Sequence, residues 1–245
     1  MSQNHEKRQA LMEHLVAMRN ALMISAGAVL VAFIVIFGWA VDPIMSFIEK
    51  PLVERGISII FTELSEGMMA KLKISLIAAL VLACPVIVWQ VWRFISPALY
   101  AHEKRAFWLV VLISVGLFVL GVVFCYGAVY VLTVEFFISM GEGFGMMTPT
   151  LSSYIDNLFG FVLPFGLAFE LPVALYITTR LGMTNYAMLA SKRKYVVLAV
   201  AIIAAVLTPP DVVSQIMLLI PILLLFEVSL LVTRFVKPKA QEEEA

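Results

Sequence analysis

Long apolar runs, separated by short polar segments, set the pattern of this chain. Five of them, 21–41, 72–95, 106–134, 155–179 and 212–233, hold the roughly 20 apolar residues a helix needs to cross a hydrocarbon core. A sixth, 195–207, is shorter, roughly 20 Å at 1.5 Å rise per residue. Lys192, Arg193 and Lys194 precede it, and Pro209, Pro210 and Asp211 follow it. That punctuation marks a complete span, one that thins the bilayer or is shielded by a neighbour. The pattern therefore predicts an all-α membrane protein with six transmembrane helices, the fifth and sixth joined by so tight a turn that they are antiparallel neighbours. Residues 42–70 form the long loop, with Pro43, Pro51 and Gly56 as breaks, and are expected to fold as a small cap. In the polar segment 1–20 and just beyond, Leu11, Leu15, Met18 and Leu22 recur at helical spacing among Glu6, Lys7, Arg8, Glu13 and Arg19. This fits an amphipathic helix lying on the interface. The tail 234–245 reads as a solvated end.

Composition supports lipid as the solvent. The chain is 62% hydrophobic and 14% charged, against roughly 45–50% and about 25% for soluble domains. Net charge is zero, so total charge says nothing about nucleic acid or acidic substrates; no nucleic-acid partner is expected. The distribution of charge says more. With the N-terminus inside, thirteen of the 17 Lys and Arg fall on inner segments, and only Lys50, Arg55, Lys71 and Lys73 lie outside. The positive-inside rule then gives cytoplasmic termini at both ends of an even number of spans. The start lacks a removable signal's short apolar stretch and cleavage site, so the first run is expected to stay in the membrane. Cys84 and Cys125 lie deep in apolar runs without ligand or disulfide spacing, and read as small buried residues. No metal or other cofactor is expected.

Polar residues inside the spans are the candidate functional groups. Glu170 sits roughly 15 Å below Arg180, near the midplane, where a carboxylate must be protonated, paired or wetted. It is either a neutral, hydrogen-bonded structural residue or a group facing a groove that admits water or substrate. Pro164 and Pro172 flank it and predict a bent helix. Gln215 lies near Thr208, and the two either bind each other or bind a helix of another protein. Glu103 stands in the basic loop 96–105, where it either pairs with Lys104 or Arg105 or receives a basic ligand through charge-assisted bonds. Catalysis has no support: the chain has no P-loop, no His-Glu-x-x-His and no Gly-x-Ser-x-Gly.

Taken in order, these residues resemble the TatC family, the receptor subunit of the twin-arginine protein translocase, along nearly the whole chain. The carrying segments are His14-Leu15 with Arg19, then Ser65-Glu66-Gly67-Met68-Met69-Ala70-Lys71-Leu72-Lys73. The block from Pro85 to Tyr100, followed by His102-Glu103-Lys104-Arg105, is the strongest. Phe169-Glu170-Leu171-Pro172, Lys192-Arg193-Lys194-Tyr195 and Thr208-Pro209-Pro210-Asp211-Val212-Val213-Ser214-Gln215 complete it. The resemblance implies a bent, cupped, glove-like bundle with short fifth and sixth helices in a bacterial inner membrane. It implies a receptor for twin-arginine signal peptides of folded cargo, driven by the proton-motive force. The implied partners are single-span TatA and TatB proteins and other copies of itself. By position it implies that Glu103 contacts the arginine pair, supported by Arg19, Phe94 and the neighbouring His102. Glu170 is expected to face the concave groove, and Thr208 and Gln215 to dock partner helices. Pro51, Glu66 and Asp211 are expected to hold the outer cap and turn.

One position departs from the family pattern. A Glu is usual two residues before the motif Arg, and Ala17 stands there. Glu13, one helical turn earlier on the same face, is the candidate to take over part of the contact. On the residues alone, the rival is a secondary transporter or ion channel using Glu170, but the internal repeats and paired broken helices of such proteins are not visible.

Overall fold

The computed structural model describes residues 2–95, 104–141, 148–208 and 211–236, with backbone alone at 2–11, 13, 14, 95 and 104–106. The described residues form ten α-helices and no strand. In chain order they are α1 (Ser2–Val35), α2 (Val41–Val53), α3 (Glu66–Ile95), α4 (Lys104–Phe124) and α5 (Val131–Gly141). Then come α6 (Leu151–Ala168), α7 (Leu171–Arg180), α8 (Tyr186–Ser191), α9 (Arg193–Leu207) and α10 (Val212–Arg234). Wide π-helical turns, Ile36–Ala40 and Cys125–Tyr130, join α1 to α2 and α4 to α5 without a loop. Five stretches are long and apolar enough to cross a membrane: Leu15–Val53, Glu66–Phe94, Phe107–Gly141, Leu151–Arg180 and Val212–Arg234. α9, at 15 residues, is below that length.

Two expectations about backbone breaks meet different outcomes. Pro172 does interrupt its helix: α6 stops at Ala168, Phe169 and Glu170 turn, and α7 begins at Leu171. Pro172 has no N–H to reach the Ala168 carbonyl, so a straight helix there forfeits a bond. Pro43 and Pro51, expected as breaks in a loop, instead lie within α2. The π turn before Pro43 widens the helix where the ring would otherwise crowd the previous turn. At Pro51 the carbonyl left without its helical donor is that of Phe47, and the Tyr126 hydroxyl donates to it at 2.8 Å. The loop between the first two long helices therefore begins only after Val53, at Gly56, whose φ of 70° suits glycine.

The main core joins α2–α6, α9 and α10 around Tyr130, Leu151, Ile155, Phe161, Phe165 and Leu218. α1 packs along α3, α4 along α6, and α10 against α7 and α9. Small residues let these backbones approach, as in other bundles that associate in lipid. A Cβ at Gly160 of α6 would stand 2.2 Å from the Leu207 carbonyl oxygen at the end of α9. One at Gly121 of α4 would stand 2.9 Å from the carbonyl of Phe165. Cys84 and Cys125 are both buried.

Gly160→Ala should therefore force α9 off α6, at a cost of about 1–3 kcal/mol. Gly116→Ala in α4, with nothing within 4 Å of its Cβ, should stay within about 0.5 kcal/mol of the parent. Thermal unfolding of the purified protein in detergent measures both.

Candidate functional site

Chain alternation puts the ends of α2, α5 and α9 with the starts of α3, α6 and α10 at one end of the bundle. This end is closed by hydrogen bonds. The residues before α3 lie beside the start of α6: the Ile60 N–H donates to the Pro149 carbonyl and the Leu151 N–H to the Ile60 carbonyl, both at 3.1 Å. Glu66, only 6% exposed, stitches the two together. Its Oε2 accepts from the N–H of Thr62 at 2.6 Å and of Glu63 at 3.4 Å, and from the Thr62 hydroxyl at 3.1 Å. Its Oε1 accepts from the Ser152 N–H at 2.7 Å, in the first turn of α6. One carboxylate thus serves three backbone donors, including a helix start where donors lack helical partners. Pro51 adjoins this region through Phe47, whose carbonyl is bound by Tyr126, while the Tyr154 hydroxyl donates to Ile48 at 2.7 Å. Asp211 caps α10, accepting from the Ser214 N–H at 2.7 Å. The four cations of this end all face acids: Lys50 with Glu54, Arg55 with Glu135, Lys71 with Asp42, and Lys73 with Asp156.

At the opposite end the described residues include a cavity. There α1 and the end of α3 enclose a cavity of about 280 Å³, lined by Ala17, Asn20, Ala21, Ile24, Gln90, Arg93 and Phe94. Phe94 is half-buried and Arg93 exposed. Arg19 is exposed on α1, its guanidinium 3.5 Å from the Asn20 side-chain oxygen. The structure thus brings Phe94 and the Ala17 position together, with Arg19 on the adjoining turn. His102 and Glu103 lie outside the described residues, in the segment between Ile95 and Lys104, and for Glu13 only the α1 backbone is described.

Glu170 sits at the α6–α7 break, half-buried. Its Oε2 accepts a hydrogen bond from the Ser114 hydroxyl of α4, and Ser114 accepts from the Trp92 indole of α3 at 2.9 Å. An indole N–H only donates, so the hydroxyl's single proton is committed to Glu170. The other oxygen, Oε1, is buried without a partner. Three long helices are thereby joined at the break.

Thr208 and Gln215 do not bind each other. Thr208 is buried, and its hydroxyl donates to the Ala204 carbonyl at 2.8 Å within its own helix. The Gln215 amide donates to the Ala201 carbonyl at 3.1 Å and ties α10 to α9.

Sequence reasoning missed Trp92, Ser114, Tyr126 and Gln90. Ser114 carried a signal, a lone hydroxyl within an apolar run. Gln90 was in the strongest quoted block but drew no separate attention.

The matching family model is described as Sec-independent protein translocase protein (TatC) and covers residues 13–221. A Carboxydothermus hydrogenoformans protein called Sec-independent protein translocase protein TatC is 36% identical over 235 residues, 96% of each chain. A protein of the same name from Aquifex aeolicus is 37% identical, over 95% of this chain and 98% of the relative. A crystal structure described as the Twin Arginine Translocase Receptor TatC superposes with a TM-score of 0.85 at 34% identity. It covers 90% of this chain and 98% of that one. These relatives are translocase components, and the transporter or channel reading of Glu170 is set aside.

At the closed end, Glu66→Ala strands three backbone donors and should cost about 3 kcal/mol. Glu66→Gln keeps a carbonyl acceptor and should cost less. Denaturation in detergent micelles compares the two, and equal stability of all three proteins would contradict the stitching role.

Proposed function

The chain belongs to the TatC family of Sec-independent protein translocase proteins, a family of translocase components and not of enzymes, and from that premise we propose that it is the receptor that binds twin-arginine signal peptides of folded cargo. In this reading α9 is a short fifth span, the bundle crosses a bacterial inner membrane six times, and both termini are cytoplasmic. The α1–α3 end, with Arg19, Phe94 and the loop carrying His102 and Glu103, then faces the cytoplasm. The observation that carries the proposal is the family match across residues 13–221, which includes every one of these residues.

The chemistry is carboxylate against guanidinium. Arg presents a planar fork that pairs with a carboxylate through two parallel bonds, and Lys does not. Glu103 is the acid that receives the arginine pair, and Glu13 supplies part of the contact that Ala17 lacks. Placing the pair at a partly dry interface strengthens it relative to water. Folded cargo then passes with TatA- and TatB-type single-span partners and further copies of the chain, powered by the proton-motive force. Gln215 has its side-chain oxygen left for a partner helix beside Thr208, since among the described residues only its amide nitrogen is used. Glu170, held by Ser114 at the α6–α7 break, supplies a polar point on the concave face.

Glu103→Arg should abolish export of twin-arginine cargo in cells while the protein still inserts at parental levels. Undiminished export would overturn the proposal. Glu13→Ala should weaken signal-peptide binding by an amount comparable to Glu103→Ala, and binding equal to the parent's would remove Glu13 from the site.

A further inference from the structure

The polar chain from Trp92 through Ser114 to Glu170 gains the bundle little stability. Ser114 and Trp92 are both buried, and Trp92 packs in an apolar cluster with Val88, Val110, Val111 and Val173. One oxygen of Glu170 accepts the Ser114 proton, and the other is buried without a partner. A buried polar network that is satisfied only in part is worse for stability than an apolar core of the same shape. Stability therefore does not account for these three side chains standing together.

The surroundings show what the chain of bonds fixes. Ser114, Phe118 and Gly121 stand at i, i+4 and i+7 of α4 and so form one stripe along it. Each meets α6 or the break that follows it. Ser114 donates to Glu170. A Cβ on Gly166 would stand 2.7 Å from the Phe118 ring, and one on Gly121 would stand 2.8 Å from the Phe169 ring. Contacts this close leave α4 little room to slide along α6. The stripe thus holds both turning residues, Phe169 by contact and Glu170 by a hydrogen bond. Trp92 completes the arrangement from α3. Its N–H, 2.9 Å from the Ser114 oxygen, fills an acceptor site there. That leaves the hydroxyl proton aimed at Glu170 and not back at the Val110 carbonyl, one turn earlier in α4.

We propose that Ser114, oriented by Trp92, is a positioning residue for Glu170: it fixes the direction in which that carboxyl group meets what moves past the concave face. The inference rests on the receptor reading above, with Glu170 as its polar point, and adds the two residues that set the geometry of that point. A functional group is held in its working orientation by neighbours whose own conformations are locked by packing and hydrogen bonds. Ser114 and Trp92 are locked in this way, and without them the Glu170 side chain is free to turn about its own bonds.

The test measures export of a twin-arginine cargo into inverted membrane vesicles that carry the full chain and its partner proteins, beside thermal unfolding of the purified chain in detergent. Ser114→Ala should lower the export rate several-fold, and Trp92→Phe should lower it by a smaller factor. Glu170→Ala should lower it about as much as Ser114→Ala. Adding Ser114→Ala to Glu170→Ala should lower it no further, because the serine acts through the acid. Glu170→Leu combined with Ser114→Ala should unfold no earlier than the parent yet export slowly, a split that a merely structural chain of bonds would not produce. Parental export in Ser114→Ala, Trp92→Phe or Glu170→Ala overturns the positioning role. So do additive losses in the double alanine variant, or a lower melting temperature in the Leu and Ala pair. If the parent exports a cargo with both arginines replaced by Ala equally well, the receptor reading itself fails, a result distinct from loss of the positioning role alone.

Discussion

Lipid offers a backbone nothing to bond with, so every departure from the helix must be served from within the chain. This requirement shapes the bundle more than any apolar contact does. Thr150, Asn185 and Asp211 each accept from a backbone N–H at a helix start. Glu66 collects three such donors across two elements. Tyr126 supplies the donor that Pro51 cannot. Where two helices must touch closely, glycine takes the contact position, as at Gly160 against Leu207. Apolar surface holds the helices together, but these polar groups decide where each may stop, turn or widen.

The two ends of the bundle meet that requirement differently, and the difference matters for function. At the α2–α3 and α5–α6 end the cations are paired and the turns are stitched together. Individual exposed pairs are worth little, but their convergence with Glu66 makes this end a fixed platform. The α1–α3 end holds a cavity of about 280 Å³ bordered by Gln90 and Phe94. Between them, Trp92, Ser114 and Glu170 join α3, α4 and the α6–α7 break into one polar chain.

Much of this was legible in the sequence. The five long spans, the shortness of the helix before Pro209 and the bend at Pro172 follow from run length and from proline's missing donor. The family resemblance rested on ordered motifs, which local patterns suffice to reveal. The continuity of α1 into α2 was not legible, because Pro43 and Pro51 read as breaks until a π turn and the Tyr126 hydroxyl compensate for them. Tyr126 is 79 residues from Phe47, and no local pattern encodes that meeting. The same holds for Ser114 with Glu170, which meet only when α4 packs on the α6–α7 break, and for the cavity at Gln90, which needs α1 against α3. Thr208 and Gln215 were expected to bind each other or a helix of another protein; Thr208 instead bonds within its own helix and Gln215 bonds to α9.

The central claim is that a carboxylate near the Phe94 end of α3 reads guanidinium and not positive charge as such. Titration calorimetry of the unaltered protein in lipid nanodiscs, with a twin-arginine peptide and its twin-lysine counterpart, addresses this directly. The account predicts that the arginine peptide binds at least about tenfold more tightly, equivalent to about 1.4 kcal/mol. Equal affinities for the two would contradict it.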